Sequence, residues 1–294
     1  MILERYLLIY NRKSGSDSIN DLLVELLPIY QEQGILLTPF CLNAGSKRDF
    51  LPFLLKGDFK GILISGGDGT IHSVMSFLLG HDIHLPMGIL PAGTCNDLAN
   101  SLGLPKEIKD AALVPLHGHR IAIDIGVVDG EHFFFSSCAG GWFMPATYET
   151  PAYAKKNIKQ FAYYLKTATK VASIRPFELN LTVDGTLHKM KAIMFGFATG
   201  SQIAGFNNIL NEASLTDGQL DLFVIEDCSP LVLPGILFNI LRGNFVNQKH
   251  VTYFQGERFH LDGPMNLPIV FDGDEGVRLP FGVEISKKRI ELFV

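Results

Sequence analysis

Hydrophobic positions follow two different periods along this chain, and the pattern changes near Arg120. Before that point, short apolar runs alternate with amphipathic stretches. "YLLIYN" (6–11), "ILLTPF" (35–40), "GILISGG" (61–67) and "LPMGILPAG" (85–93) read as buried strands. Between and after them, "SINDLLVELLPIYQEQG" (18–34) is an amphipathic helix with Ser18 or Asn20 as N-cap and Gly34 past its end. "KRDFLPFLLKG" is a weaker helix broken by Pro52, and "TIHSVMSFLLG" and "CNDLANSLGL" are two further helices. Repeated strand–helix units with apolar strands predict a mostly parallel sheet covered on both faces.

After Arg120 the spacing shifts to a period of two. "RIAIDIGVVDG" and "EHFFFSS" alternate and are joined at Asp129-Gly130, a hairpin signal. "FELNLTVDGTLHKMKAIMFGFA" repeats the design around Asp184-Gly185, and "GQLDLFVIE", "PIVFDGDEG" and "VEISKKRIELFV" are further strands. A long helix, roughly Tyr153 to Ala172, interrupts them. The expectation is an α/β domain followed by a largely antiparallel β domain, with the boundary near residues 120–125. The aromatic run "FFFSSCAGGWF" reads as core of the second domain, with an acyl pocket as the other reading.

Composition narrows the function classes. The chain has 294 residues, 47% hydrophobic and 19% charged, enough to bury a substantial core. A net charge of −5 argues against a general nucleic-acid binder. Cys41, Cys95, Cys138 and Cys228 are scattered, with neither a zinc pattern nor a disulfide framework, which fits a reducing, cytoplasmic setting. Glu4 and Arg5 interrupt the apolar N-terminus, so no signal peptide is expected. "LVLPGILFNIL" (231–241) falls short of the ~18 apolar residues of a membrane span and contains Pro234 and Gly235.

The chemistry concentrates in two loops. In "GGDGT", Gly66, Gly67 and Gly69 are free to take positive φ and to expose backbone N–H groups with no Cβ in the way. The helix that follows adds its positive end, a combination suited to phosphate. It is no Walker A loop, because no Gly-Lys-Ser/Thr follows, and no dinucleotide fingerprint, because His72 stands where a third glycine belongs. A carboxylate among phosphates is repelled unless a cation bridges them. Asp68 therefore points to Mg²⁺ held between phosphates and protein, or to a base aimed at an attacking hydroxyl. The structural alternative is a tight turn with Asp68 capping its helix. "ILPAGTCNDLAN" (89–100) repeats the logic one unit later: Gly93 opens a turn, and Thr94, Asn96 and Asp97 gather at the next helix start. Neighbouring strand-to-helix loops place Asp68 and Asp97 in one crevice. For Asn96 and Asp97, too, the alternative is an N-cap.

With "SGGDGTIHSV" and "LPAGTCNDLAN" in hand, the chain resembles the diacylglycerol kinase catalytic domain family, which includes soluble bacterial lipid kinases and is related by fold to sphingosine kinases and NAD kinases. "YNRKSG" (10–15), "AIDIG" (122–126), "NEASLTDGQLDLFV" (211–224) and "FDGDEG" (271–276) match the family's other landmarks in order, so the resemblance covers nearly the whole chain. It implies an α/β ATP-binding domain over 1–122, completed by 286–294, and a β-rich lipid-binding sandwich over 123–285. It implies ATP- and Mg²⁺-dependent phosphorylation of the free hydroxyl of diacylglycerol to give phosphatidic acid. Nucleotide contacts then fall to Asn11, Gly66, Gly67, Asp68, Gly69, Thr70, His72, Gly93, Thr94 and Asn96, with Thr38 or Cys41 as a further contact. The catalytic set becomes Asp274, Asp272, Asp68 and Asp97.

The family's late Asp-Gly-Glu base motif reads Asp272-Gly273-Asp274 here, with Glu275 next, so a shorter side chain takes the glutamate position. The resemblance also implies a structural Mg²⁺ with Asp217 as side-chain ligand, carbonyls near Ser214 and Gln219, and Asp124 joined to the metal through water. The other reading of Asp124 is an exposed strand residue. Two departures stand out: Arg12 replaces the usual first-loop proline, and "AGGWFMPATYE" lacks the family's aspartate.

Residues 151–177 hold Lys155, Lys156, Lys159, Lys166, Lys170 and Arg175 and no acid. Lys155, Lys159, Lys166 and Lys170 share one helical face, which fits docking on an anionic lipid surface at about 1 kcal/mol per basic residue or a plain solvated face. The expected partner is lipid at such a membrane surface, met by a peripheral cytoplasmic protein with no nucleic-acid role. The family adds a homodimer. Two rivals stay open: the same scaffold acting on a sphingoid base, another glycerolipid or NAD, and a catalytically silent regulator that binds nucleotide or lipid.

Overall fold

The computed structural model describes residues 4–11, 18–42, 49–141, 175–201, 213–229, 231–240 and 248–294. The chain divides into two compact units, Met1–Ile123 with Lys288–Val294, and Asp124–Lys287. The division falls one residue past the expected end of the first domain, and the return two residues past its expected start.

In the first unit the strands are β1 (Glu4–Asn11), β2 (Ile35–Leu42), β3 (Gly61–Gly66), β4 (Met87–Pro91) and β5 (Arg120–Ile123). The helices are α1 (Ser18–Glu32), α2 (Leu51–Lys56), α3 (Asp68–Gly80), α4 (Asp97–Ser101) and α5 (Ile108–Leu113). The C-terminal strand Ile290–Phe293 inserts between β4 and β5, giving the order β2-β1-β3-β4-C-terminal strand-β5. All pairs are parallel except the last. The chain leaves β1 to one side for β2 and returns to the other for β3, so the direction of winding reverses between β1 and β3. Ligands of such sheets sit beyond the carboxyl ends of the strands at that reversal, here at Asn11 and Gly66.

Both faces of the sheet are covered. Tyr6 and Leu8 pack with Leu22, Leu26 and Tyr30 of α1 and Ala112 of α5. On the opposite face of β1, Leu7 and Ile9 are completely buried. Helix α3 buries Ile71, Val74, Met75, Leu78 and Leu79, the three- and four-residue spacing of one helical stripe. Two expectations change. Pro52 stands in the first turn of α2 and begins that helix instead of breaking it, because a first-turn residue has no helical N–H to lose. Helix α3 begins at Asp68, two residues before the expected Thr70, with Gly67 as N-cap.

The second unit contains β6 (Gly126–Val128), β7 (His132–Phe134), β8 (Ser137–Gly141), β9 (Phe177–Val183), β10 (Thr186–Ala198) and β11 (Leu220–Glu226). Helix α6 (Leu233–Ile240) follows, and then β12 (Val251–Gly256), β13 (Arg258–Asp262), β14 (Ile269–Phe271), β15 (Asp274–Glu275) and β16 (Phe281–Ile285). Every pairing among these strands is antiparallel. Strand β10 pairs with β9 over its first half and with β8 and β11 over its second. Phe134, Cys138, Leu181, Phe195, Phe197, Leu222, Phe259 and Phe281 meet in the core that results. The described part of the aromatic run, Phe133 to Gly141, is therefore core, with Ser136 and the half-buried Ser137 as its polar members. Leu233 and Ile236 of α6 cover a second apolar face with Met194, Phe223 and Ile225.

The stretch "RIAIDIGVVDG", read as one strand, is two. Strand β5 joins the first sheet and β6 the second, and Asp124-Ile125 lies between them. Strands β12 and β13 were not foreseen. The helix expected from Tyr153 to Ala172, the basic face of Lys155, Lys159, Lys166 and Lys170, Arg12, and the side chains of Ser18 and Asn20 lie outside the described residues. Among those described, no helix is long and apolar enough to cross a membrane.

Candidate active site

The two glycine loops meet backbone to backbone. A Cβ on Gly93 would lie 2.4 Å from the Gly67 Cα, and one on Gly67 would lie 3.0 Å from the Gly93 Cα. Neither position has room for a side chain. Gly67 itself is extended, with φ −85° and ψ 178°. None of Gly66, Gly67, Gly69 and Gly93 has positive φ. Close approach, and not the left-handed conformation expected from sequence, is what these glycines supply. Gly69 differs from the others, since a Cβ there would meet nothing within 4 Å. It sits in the first turn of α3, where N–H groups point out of the helix end. An anion could approach that backbone closely.

Asp68 is the first residue of α3. Its carboxylate crosses to the second loop, where Oδ1 accepts from the Asp97 N–H at 2.7 Å and Oδ2 from the Asn96 N–H at 2.9 Å. These are amides at the start of α4, so Asp68 caps the neighbouring helix and ties the two loops together. Asn96 takes the left-handed conformation (φ 53°, ψ 47°), and its side chain closes the loop. Its Oδ1 accepts from the Gly93 N–H at 2.8 Å, and its Nδ2 donates to the Gly93 carbonyl at 3.3 Å. The Ala92 N–H donates to the Gly66 carbonyl at 2.9 Å, a second tie between the loops. At the end of β1, Asn11 Nδ2 donates to Thr70 Oγ1 at 3.3 Å. Asn11, Asp68, Thr70, Gly93, Asn96 and the buried Asp97 are thus assembled at the winding reversal. Thr94 is exposed on the rim of that assembly, and His72 is half-buried on α3.

In the second unit, Asp272 and Gly273 form the two-residue turn between β14 and β15, both with positive φ (46° and 92°). Phe271 and Asp274 face each other across it. The Asp272 carboxylate is gripped by three successive backbone amides: Phe135 N–H to Oδ2 at 2.8 Å, and Ser136 and Ser137 N–H to Oδ1 at 2.9 and 2.8 Å. The sequence reading counted Asp272 among the catalytic aspartates. With three amides on it, Asp272 anchors the hairpin that carries Asp274. Asp129 and Asp184, in two further Asp-Gly turns, anchor in the same way on Gly282 and on Glu257 and Arg258. Burial first, and the charge of Asp272 second, push the Cys138 thiol well above its ordinary range. Asp274 and Glu275 are both exposed. As neighbours on one strand they point to opposite faces.

Asp124 is buried and holds the turn that carries the expected metal ligands. Its N–H donates to the Leu215 carbonyl at 2.7 Å, and its Oδ2 accepts from the Gly218 N–H at 2.7 Å. The reading of Asp124 as an exposed strand residue is therefore set aside. Gly218 has positive φ (76°), and Asp217 Oδ1 accepts from the Gln219 N–H at 3.0 Å. Ser214 Oγ lies 3.4 Å from Thr216 Oγ1. Among the described residues no group of three or more His, Cys, Asp and Glu side chains converges. The exposed Asp217 offers one carboxylate, a hard oxygen ligand of the kind Mg²⁺ takes while keeping several waters.

The profile of the diacylglycerol kinase catalytic domain matches residues 5–128, and that of the YegS C-terminal NAD kinase beta sandwich-like domain matches residues 147–294. A diacylglycerol kinase of Bacillus subtilis is 30% identical over 280 residues, covering 95% of this chain and 92% of its own. One from Staphylococcus carnosus is 26% identical over 291 residues, covering 99% and 95%. A crystal structure of a diacylglycerol kinase from Bacillus anthracis shares the fold, with TM-score 0.79 and 21% identity over 100% of this chain and 98% of that one. The chain belongs to the diacylglycerol kinase catalytic domain family, and it is a kinase, a phosphotransferase of a lipid kinase family.

Proposed function

We propose that this protein transfers the γ-phosphoryl group of ATP to the free hydroxyl of diacylglycerol, giving phosphatidic acid, with Mg²⁺ as the required cation. The observation that carries the reading is the bridge from Asp68 to the Asn96 and Asp97 amides, which ties the two glycine loops into one candidate site. The relatives' names supply the acceptor.

Phosphoryl transfer has a loose transition state, so most of the catalysis is positioning and charge neutralisation. The N–H groups at the start of α3 and the Thr94 N–H hold phosphate oxygens, with the small Gly93 leaving room for them to approach. Asn11 and Thr70 border that site. Asp274 orients the acceptor hydroxyl and takes its proton as the new O–P bond forms and the bond to ADP breaks. Mg²⁺, when bound, offsets charge on the phosphate oxygens. Asp217 and the carbonyls near Ser214 and Gln219 would hold the structural Mg²⁺, on a turn that Asp124 fixes. Peripheral attachment to an anionic membrane through Lys155, Lys159, Lys166 and Lys170 belongs to the same proposal and rests on sequence alone.

The test is product identity. γ-Labelled ATP and Mg²⁺ are supplied with diacylglycerol, a sphingoid base or NAD, the lipids in anionic mixed micelles. The expected result is label in phosphatidic acid, abolished by chelating Mg²⁺. Label entering only the sphingoid base or NAD would replace the acceptor. ATP binding with no labelled product would favour the silent regulator.

A further inference from the structure

The turn at Phe135–Ser137 aims three consecutive N–H groups at one point, an anion nest of the kind that elsewhere holds phosphate. Here it holds a carboxylate of the protein's own, Asp272. The turn is itself clamped from behind. Thr199, fully buried, donates its hydroxyl to the Phe135 carbonyl at 2.6 Å and its N–H to the Ser136 carbonyl at 3.2 Å. The Asp272 N–H returns a bond to the Ser137 carbonyl at 2.9 Å. Four strands are involved: β7 and β8 flank the turn, Thr199 follows β10, and Asp272 follows β14. The Asp-Gly turns at Asp129 and Asp184 have one and two such amide bonds where this one has three.

We infer that Thr199 and the Phe135–Ser137 nest are positioning elements for the phosphoryl acceptor's base: by gripping Asp272 they fix where the next residue but one, Asp274, presents its carboxylate. This rests on Asp274 being the base, as proposed above. It also accounts for the shorter side chain at that position. An aspartate has one methylene less than glutamate with which to adjust, so its backbone must be placed more tightly. A misplacement of about 1 Å at a reacting group costs on the order of a hundredfold in rate.

The variants are Thr199→Val, which keeps shape and loses the hydroxyl, Thr199→Ser, which keeps it, and Asp272→Asn, which puts NH₂ against N–H donors. In the full-length protein, Thr199→Val lowers kcat on diacylglycerol by on the order of tenfold. KM for ATP stays unchanged, the acidic limb of the kcat–pH profile moves, and Thr199→Ser restores both. Hydrogen exchange at the Phe135, Ser136 and Ser137 amides quickens in Thr199→Val and Asp272→Asn. Loss confined to thermal stability, with kcat and the pH limb of the folded variant at wild-type values, would overturn the positioning role. Unchanged exchange in both variants would overturn the grip itself. If wild type proves inactive on every lipid, the proposed function falls, while the exchange measurement still decides whether the nest holds the hairpin.

Discussion

Asp68 spends both carboxylate oxygens on the amides of another loop, so its first task is geometric: it sets the spacing of the two glycine-loop backbones. The glycines around it divide the labour in a way substitution can separate. Gly93→Ala drives a Cβ to 2.4 Å from the Gly67 Cα. It is expected to cost about 1–3 kcal/mol of stability and to weaken ATP binding by tenfold or more, on the order expected when contacts worth ~1.4 kcal/mol are lost. Gly69→Ala meets no protein atom and lies in a helix. It should leave stability unchanged or raise it by up to about 1 kcal/mol, yet still weaken ATP binding, because the methyl would stand where phosphate approaches. Urea unfolding and ATP titration of the two variants check this pair. A Gly69→Ala protein with full ATP affinity would move the phosphates away from α3.

At the scale of elements, the alternation of buried strands and amphipathic helices in the first unit was legible, because β3, β4 and the centre of β1 are buried on both faces and read as apolar runs. Boundaries set by three-dimensional contacts were not. That α3 begins at Asp68 follows from Gly67 being pressed against Gly93, a contact between residues 26 apart. The break at Asp124 was hidden by the alternation of Ile121, Ile123 and Ile125, which continues across the change of sheet. Strand β13 did carry a signal: Arg258, His260 and Asp262 are exposed and Phe259 and Leu261 buried, a clean period of two. Strand β12 is only half-buried over most of its length, so no apolar stripe marked it. The candidate loops were legible from residue type, while the Asp68 bridge and the grip on Asp272 were not, since nothing in the spacing of Asp272 from Phe135 announces a contact.

The link between α1 and α5 makes a pH prediction. Tyr30 is buried and donates its hydroxyl to the Ala112 carbonyl. Burial, and then the neighbouring Tyr6, raise its pKa well above the ordinary tyrosine value of about 10. A group whose folded pKa is raised contributes its full stability below the unfolded pKa and loses it as pH rises toward the folded one. Stability should therefore fall as pH climbs beyond about 10. Tyr30→Phe should be less stable by about 1 kcal/mol at neutral pH and show a flatter decline in that alkaline range. Urea midpoints from neutral to alkaline pH test this, and parallel declines in the two proteins would contradict it.

At the scale of the molecule, the chain carries its machinery in two units. The two bridged glycine loops belong to the first, and the Asp274 hairpin with the Asp124–Asp217 turn to the second. The C-terminal strand, between β4 and β5, brings the end of the chain back to the first unit. The central claim is that such a molecule moves phosphate from ATP to diacylglycerol with Asp274 taking the proton. The most direct measurement is the initial rate of labelled phosphatidic acid formation by wild type and by Asp274→Asn, each verified to bind ATP. The account predicts label with wild type and a rate lower by roughly 10²–10⁴-fold in the variant. A full rate in Asp274→Asn, or ATP-bound wild type that labels no diacylglycerol, would contradict it.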